Sequence, residues 1–206
     1  MICVIDYGIG NLGSVKKALD YLGVKSIVCK DGKELSSIAP DSIILPGVGA
    51  FGATMQALNL RGFDVVIKEA INGGVNFLGI CVGLQILFET SEESPLDKGL
   101  AIFKGTIKKL DVSLRVPQMQ WNLVNFTDSA YLDSTSNWYY FVHSYYLPAE
   151  PLKTSDFKLT GVTNYEVLVG AMIERDNILA VQFHPEKSGK AGLALLESFV
   201  KKTKRL

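Results

Sequence analysis

Short apolar segments that alternate with helical patterns fill the first half of the chain, and this alternation limits the fold most strongly. The predicted strands are Ile2–Asp6, Ser26–Cys29, Ser42–Leu45 and Val75–Ile80. The predicted helices are Leu12–Leu22, Leu84–Thr90 and a segment from about residue 53 to residue 71 that Arg61-Gly62 interrupts. Apolar strands separated by helices are typical of a mainly parallel sheet that helices cover on both faces.

The second half of the chain has a different pattern, in which strand-like segments are rich in Val, Ile, Tyr, Phe and Trp. The predicted strands are Gly99–Leu110, Asn122–Phe126, Trp138–Tyr146, Leu159–Val162, Val167–Ile173 and Ile178–Phe183. A final helix is predicted from Lys190 to about Lys202. We therefore expect residues 1–206 to form one α/β domain with added antiparallel strands.

Composition and charge exclude several functional classes. Basic and acidic residues number 21 each, so the formal net charge is +0 and no overall field attracts nucleic acid or an anionic membrane. No apolar run is long enough to span a bilayer, and Met1 runs directly into a predicted core strand instead of a signal segment. Cys3, Cys29 and Cys81 form no metal-ligand or disulfide pattern. We expect a cytoplasmic protein with no metal and no cofactor.

Cys81 lies where a nucleophile is expected. The segment Gly79-Ile80-Cys81-Val82-Gly83 follows a predicted buried strand and opens a predicted helix, which is the form of a nucleophile elbow with cysteine in place of serine. Such a turn strains its central residue, and the flanking glycines leave room for it. The helix N-terminus stabilises a thiolate, and the amide of Val82 is expected to face a developing oxyanion. Cys3 and Cys29 lie in mid-strand and are interpreted as buried packing residues.

Of the two histidines, His184 fits the base that acyl transfer to a thiol requires. It follows the last predicted strand, and Pro185 stiffens the chain after it. Glu186 lies two residues beyond and can orient the imidazole, which is the third role in a triad. Cys81 and His184 both follow strands, and parallel strands present functional groups at their C-terminal ends. His143 lies among aromatic residues and is interpreted as a hydrogen-bonded packing residue.

Two glycine-rich loops allow more than one interpretation. Residues 46–52 can turn the amide of Val48 or Gly49 toward an anion, although spacing alone favours an ordinary strand-to-helix turn. Residues 8–13 read Gly-Ile-Gly-Asn-Leu-Gly, and Asp31 occupies the place of a ribose-binding acid. This pattern keeps a dinucleotide-binding domain open as an alternative. Against it, Asp6 and Tyr7 crowd the turn with a charge and a ring.

Taken together, these motifs resemble the class I, triad-type glutamine amidotransferases over essentially the whole chain. Within that class they are most similar to the glutaminase subunits of imidazole glycerol phosphate synthases. The markers are Asp6-Tyr7-Gly8, Gly10-Asn11, Ser14-Val15, Pro46 to Gly52, Gly79 to Gln85, Ser91-Glu92-Glu93-Ser94, Tyr140 to Tyr145, and Gln182 to Ser188. The resemblance implies a three-layer, flavodoxin-like α/β fold with a mainly parallel central sheet and added antiparallel strands.

The resemblance also implies a reaction and a set of site residues. Cys81 attacks the side-chain amide of glutamine, His184 relays the proton and Glu186 orients the imidazole, so that ammonia and glutamate leave through a thioester. The residues expected to form the oxyanion hole are Val48, Gly49 and Val82. The residues expected to contact glutamine are Gly49, Gln85, Ser144 and Tyr145. Ammonia is expected to pass into a (β/α)8-barrel cyclase that forms a heterodimer with this chain in histidine biosynthesis.

One segment departs from the family pattern. Where these subunits usually carry Pro-His-Met-Gly-Trp-Asn, residues 117–122 read Pro-Gln-Met-Gln-Trp-Asn. The residues that the resemblance places at the partner interface are Asn11, Gln118, Met119, Gln120 and Trp121. The two changes keep two alternatives open: a paralogous glutaminase that feeds another barrel synthase, for example one that amidates a sugar, and a non-catalytic binding module. The intact triad argues against the second alternative.

Overall fold

The computed structural model describes residues 1–133, 135–149 and 156–203. Its strands are β1 (Ile2–Ile5), β2 (Ser26–Cys29), β3 (Ser42–Leu45), β4 (Asn76–Ile80), β5 (Phe88–Ser91), β6 (Phe103–Lys109), β7 (Gln118–Phe126), β8 (Ser136–His143), β9 (Tyr145–Tyr146), β10 (Lys158–Tyr165), β11 (Val167–Arg175) and β12 (Ile178–Val181). Its helices are α1 (Leu12–Tyr21), α2 (Gly32–Ile38), α3 (Phe51–Leu60), α4 (Phe63–Asn72), α5 (Val82–Gln85) and α6 (Gly189–Thr203), with a 3-10 turn at Pro185–Lys187. Within these described ranges, no helix combines the length and the apolar character that crossing a membrane requires.

In the described part of the chain, nine strands form the central sheet in the order β2-β1-β3-β4-β12-β11-β10-β7-β8. The first five strands in this order, β2, β1, β3, β4 and β12, are parallel to one another. The last four strands, β11, β10, β7 and β8, continue the sheet, and each pairs antiparallel with its neighbour. A smaller sheet joins β5, β6 and β9. The predicted α/β fold class is confirmed, and the central sheet is mixed, since four of its strand pairings in the described residues are parallel and four are antiparallel.

Burial on both faces explains why the parallel strands are so apolar. Every residue of β1, β3, β4 and β12 is buried, as expected of strands that helices cover on both sides. On one face, Val4 packs in a core with Leu19 of α1 and Phe199 of α6. On the other face, Ile5 shares a core with helices α2 to α4 and the smaller sheet. The loops after β1, β3, β4 and β12 therefore meet at the C-terminal edge of this parallel half, and the site lies there.

Two helices differ from the predictions, and the strand predicted over Trp138–Tyr146 divides into β8 and β9, which lie in different sheets. The helix predicted over Leu84–Thr90 ends early, because the chain enters β5 and Phe88 pairs with Phe103 of β6. The apolar run Ile86-Leu87-Phe88 within this segment is too short to have a period that distinguishes a helix from a strand. Helix α2 is absent from the predictions, although Asp31 caps it by accepting a hydrogen bond from the amide of Glu34 at 2.9 Å. This cap gives Asp31 a structural role in place of the ribose contact of the dinucleotide alternative.

Candidate active site

Cys81 occupies a strained turn between β4 and α5. Its backbone has φ 55° and ψ −106°, a region that non-glycine residues rarely adopt. Its amide donates to the carbonyl of Val181 at 2.7 Å, which ties the turn to the neighbouring strand β12. A Cβ on Gly79 would lie 2.5 Å from the carbonyl oxygen of Gly83, and a Cβ on Gly83 would lie 2.5 Å from that of Leu45. The predicted strain at Cys81 is confirmed, and both glycines are required by close backbone approach.

His184 and Glu186 form a buried pair at the end of β12. Nδ1 of His184 lies 2.9 Å from Oε1 of Glu186, and each side chain is 1% exposed. Only Pro185 separates the two residues in sequence, and the 3-10 turn that begins at Pro185 brings their side chains together. The backbone of His184 is held on both sides, since its amide donates to the carbonyl of Tyr140 at 2.9 Å and its carbonyl accepts from Ser188 Oγ at 2.6 Å. The ring is therefore fixed in place, with Nε2 left to exchange a proton.

The two histidines have opposite electrostatic environments. Burial acts to lower the pKa of His184, but negative charge on the sulfur of Cys81 and the carboxylate of Glu186 outweigh it and raise the pKa to about 10. Cys81 is the largest of the influences that raise this pKa, so its sulfur lies near the ring. Burial lowers the pKa of His143 to about 4, against its hydrogen bond to the Tyr145 carbonyl. At neutral pH His184 is thus poised as an imidazolium and His143 is neutral.

Most of the predicted site residues line one cavity of ≈ 390 Å³ beside Cys81. Its predicted lining residues are Val48, Gly49, Cys81, Val82, Gln85, Ser144 and Tyr145. The loop that carries Val48 and Gly49 packs closely against α5. A Cβ on Gly47 in this loop would lie only 2.1 Å from Cγ1 of Val82. The cavity has the size of a small-ligand site. Among the described residues, no group of three or more His, Cys, Asp or Glu could hold a metal ion.

The structure adds residues to which sequence reasoning gave no role. Glu93 lines the cavity, and its Oε2 accepts a hydrogen bond from the Phe51 amide at 2.7 Å, at the start of α3. Lys187 lines the same cavity beside the ring of Tyr140. Gln182, fully buried, places Nε2 3.6 Å from Sγ of Cys81. Glu93, Lys187 and Gln182 lie in segments that carry the family resemblance, but the order of residues along the chain does not show that they lie around the nucleophile.

The predicted interface residues separate into exposed and buried groups. Met119 and Trp121 are exposed, as is Gln120, while Asn11 is half-buried in the loop before α1. Gln118 is 0% exposed and pairs with His143 across β7 and β8, so its side chain does not reach the surface, and its role in partner contact or coupling stays a prediction. The two-residue period of a strand points Gln118 to the face opposite Met119 and Trp121, and on that face Gln118 is buried at the start of β7 while Gln120 is exposed.

A family model described as glutamine amidotransferase class-I matches residues 3–203 of the chain. The chain is 46% identical over 202 residues to "Imidazole glycerol phosphate synthase subunit HisH" of Herpetosiphon aurantiacus, which covers 97% of this chain and 93% of that protein. It is 42% identical over 204 residues to the protein of the same name from Chlorobaculum tepidum, with 97% and 98% covered.

A solved structure described as "Crystal structure of glutamine amidotransferase" matches with a TM-score of 0.78, over 99% of this chain and 100% of that chain. At 15% identity this likeness bears on the fold alone. It agrees with the α/β architecture and the mixed sheet seen here. From the family model and the full-length sequence relatives, the chain belongs to the class-I glutamine amidotransferase family.

Proposed function

We propose that this enzyme is the glutaminase subunit of an imidazole glycerol phosphate synthase. It hydrolyses glutamine and supplies ammonia to a cyclase subunit in the cytoplasm, with residues 1–206 acting as one domain. The observation that carries the proposal is the strained Cys81 beside the buried His184–Glu186 pair, at the wall of one small cavity. Relatives named as HisH subunits, 41–46% identical over nearly the whole chain, support the choice of synthase.

Cys81 and His184 carry the chemistry. The thiolate of Cys81 attacks the side-chain carbonyl carbon of glutamine, and the negative charge moves to the carbonyl oxygen. The amides of Val82 and of Val48 or Gly49 face that oxygen and stabilise it. His184 donates its proton to the amide nitrogen, the carbon–nitrogen bond breaks, and ammonia leaves a thioester. A water molecule then gives its proton to His184, attacks the thioester and releases glutamate.

The cavity wall provides contacts for the amino-acid end of glutamine. Glu93 brings a carboxylate to this wall, which suits the substrate ammonium group. Gln85, Ser144 and Tyr145 supply amide, hydroxyl and backbone groups around the same space. With the side-chain amide at Cys81, the substrate spans the cavity from the elbow to Glu93.

An exposed apolar surface next to the cavity suits the partner subunit. Met119, Trp121 and Trp138 are each about half exposed, at 54%, 47% and 55%. They lie on the same face of the β7–β8 hairpin, where Trp121 is opposite Tyr140. Pro117, which precedes β7, lines the cavity. Exposed aromatic residues of this kind mark protein interaction sites, so the partner docks where the cavity opens.

Delivery to a partner also follows from the chemistry of ammonia. At neutral pH, free ammonia is mostly protonated to ammonium, which is a poor nucleophile. A closed path from the cavity into a second subunit avoids this loss and keeps water away from the reaction. The (β/α)8-barrel cyclase of the synthase is the acceptor subunit in this proposal.

The test is glutamate release by the purified chain with and without the cyclase subunit and its ribotide ligand. We expect slow hydrolysis by the chain alone, strong acceleration by the loaded cyclase, and no turnover by Cys81→Ala. Cys3→Ala is the matched control, because Cys3 is also a buried free cysteine and does not line the cavity. Full activity of Cys81→Ala would refute the mechanism. Acceleration by a sugar-amidating barrel synthase, and none by the cyclase, would favour the paralogous glutaminase.

A further inference from the structure

Gln182 is in direct contact with the nucleophile and has no role in the proposed mechanism. It follows β12 and is 0% exposed. We infer that Gln182 is a positioning residue, whose side-chain N–H holds the sulfur of Cys81 and favours its charged form. This inference rests on the proposed glutaminase function and adds a residue to that site.

A chain of hydrogen bonds connects Gln182 to the substrate cavity. Nε2 of Gln182 lies 3.6 Å from Sγ of Cys81. Oε1 of Gln182 accepts from Nε2 of Gln85 at 3.1 Å, and the same Gln85 nitrogen donates to the carbonyl of Tyr145 at 2.8 Å. The backbone N–H of Gln182 donates to the backbone carbonyl of Ala171 at 2.9 Å, which fixes the Gln182 backbone to β11. Gln182 is thus held at both its backbone and its side chain.

The hydrogen-bond partners determine which end of the Gln182 amide faces the sulfur. The carbonyl of Tyr145 can only accept, so the Gln85 atom beside it must be the NH2 nitrogen. The second proton of that nitrogen points to Gln182, and an oxygen must receive it. The NH2 group of Gln182 is therefore left for Cys81, and the donor direction does not depend on an arbitrary amide assignment.

The second neighbour of the sulfur shows why this donor matters. The carbonyl oxygen of Val142 lies 3.8 Å from Sγ of Cys81 and can only accept, so it favours the neutral S–H form. The N–H of Gln182 has the opposite preference, because a hydrogen bond to a charged acceptor is stronger than one to a neutral acceptor. Loss of the Gln182 amide leaves the Val142 carbonyl unopposed by this donor and makes the thiolate less favourable.

The test is alkylation of Cys81 by iodoacetamide in the full-length chain, followed by peptide mass spectrometry from pH 5.5 to pH 9.5. We expect Gln182→Leu to slow alkylation about tenfold at pH 7 and to shift the midpoint of the pH profile upward. Gln182→Glu keeps the shape but places a carboxylate oxygen against the sulfur, so its shift should be at least as large. Cys3 and Cys29, both 0% exposed, are internal references in every sample.

Glutaminase kinetics with the cyclase subunit provide a second readout. For Gln182→Leu we expect kcat to fall about tenfold at pH 7, KM to change less than threefold, and the defect to shrink as pH rises and the thiolate forms. A purely structural role would lower the amount of folded enzyme without changing the pH profile. Thr160→Val is the matched control, since Thr160 is another fully buried polar side chain, in β10, and its alkylation and kinetic profiles should match the wild type.

The outcomes separate this inference from the proposed function. Wild-type alkylation and kcat profiles in both Gln182→Leu and Gln182→Glu would overturn the role of Gln182. If Gln182→Leu does not fold, as judged by circular dichroism, Gln182→Glu alone decides in the same way. The alkylation assay needs no glutamine turnover, so a shifted profile would support Gln182 even if the wild-type chain failed to hydrolyse glutamine. Failure of turnover in the wild type would count against the proposed function only.

Discussion

Nδ1 of His184 and Oε1 of Glu186 lie 2.9 Å apart in a site where each side chain is 1% exposed. A buried carboxylate at this distance favours the charged imidazole, and together with Cys81 it raises the pKa of His184 to about 10. An imidazolium is therefore present at neutral pH, ready to protonate the leaving ammonia. The carboxylate of Glu186 acts through the ring and not on the substrate.

The first prediction concerns Glu186→Gln. The amide oxygen can still accept a hydrogen bond from Nδ1, but the negative charge is lost, so the pKa of His184 should fall below about 10. We expect kcat for glutamine hydrolysis to fall at least roughly tenfold and the alkaline limit of activity to move to lower pH. Steady-state kinetics across pH 6 to 10, with the cyclase subunit present, measure both effects.

The matched control for this prediction is Glu197→Gln on α6. Glu197 is exposed and pairs with Lys201, so removal of its charge should leave kcat unchanged. A Glu186→Gln enzyme with wild-type kcat and an unchanged alkaline limit would show that the buried pair does not serve catalysis.

The second prediction compares two glycines. Gly83→Ala places a Cβ 2.5 Å from the carbonyl oxygen of Leu45, so the elbow must shift, and we expect a loss of roughly 1–3 kcal/mol in the free energy of unfolding. Gly13→Ala, in α1, places a Cβ with nothing within 4 Å and should stabilise the fold by about 0.5 kcal/mol. Urea denaturation of both variants checks the signs. A Gly83→Ala variant as stable as the wild type would contradict the packing described for the elbow.

The third prediction concerns the buried, neutral His143. Its folded-state pKa of about 4 lies below the ordinary value of 6.5, so between these pH values the unfolded chain binds a proton that the folded chain does not. The stability from neutral His143 is therefore full above pH 6.5 and is lost as pH falls toward 4. Between pH 7 and pH 4.5, the wild type should lose about 2 kcal/mol more unfolding free energy than His143→Gln. Equal losses in urea titrations of the two proteins would contradict this.

Much of the architecture could be read from the sequence, because the parallel strands carry their own signal. Segments such as Ser42–Leu45 are buried on both faces, so Ile43, Ile44 and Leu45 follow one another as an unbroken apolar run. The turn at Cys81 could be read for a similar reason. Close backbone contacts require glycine at positions 79 and 83, and these two glycines, each two residues from Cys81, are visible in the sequence.

What the sequence could not show depends on contacts between distant segments. Gln118 and Met119 are adjacent, and only the register of β7 against β8 decides that one is buried and the other exposed. Gln182 meets Cys81 because β12 pairs with β4, and a parallel pairing over such a separation leaves no trace in local periodicity. Helix α2 is different, since its Asp31 cap is a local signal that could have been recognised.

The last prediction concerns the exposed face of the β7–β8 hairpin. Trp121 is 47% exposed near the cavity, with its ring centroid 6.4 Å from that of Tyr140. Because large aromatic side chains dominate interface energies, Trp121→Ala should weaken binding of the cyclase subunit by about 2 kcal/mol, or roughly thirtyfold in Kd. Glutamine hydrolysis by the chain alone should not change, since Trp121 does not line the cavity. Leu60→Ala is the control, because Leu60 is 87% exposed at the end of α3 and should leave binding intact. Calorimetry measures both affinities, and equal binding by Trp121→Ala and the wild type would place the partner on another surface.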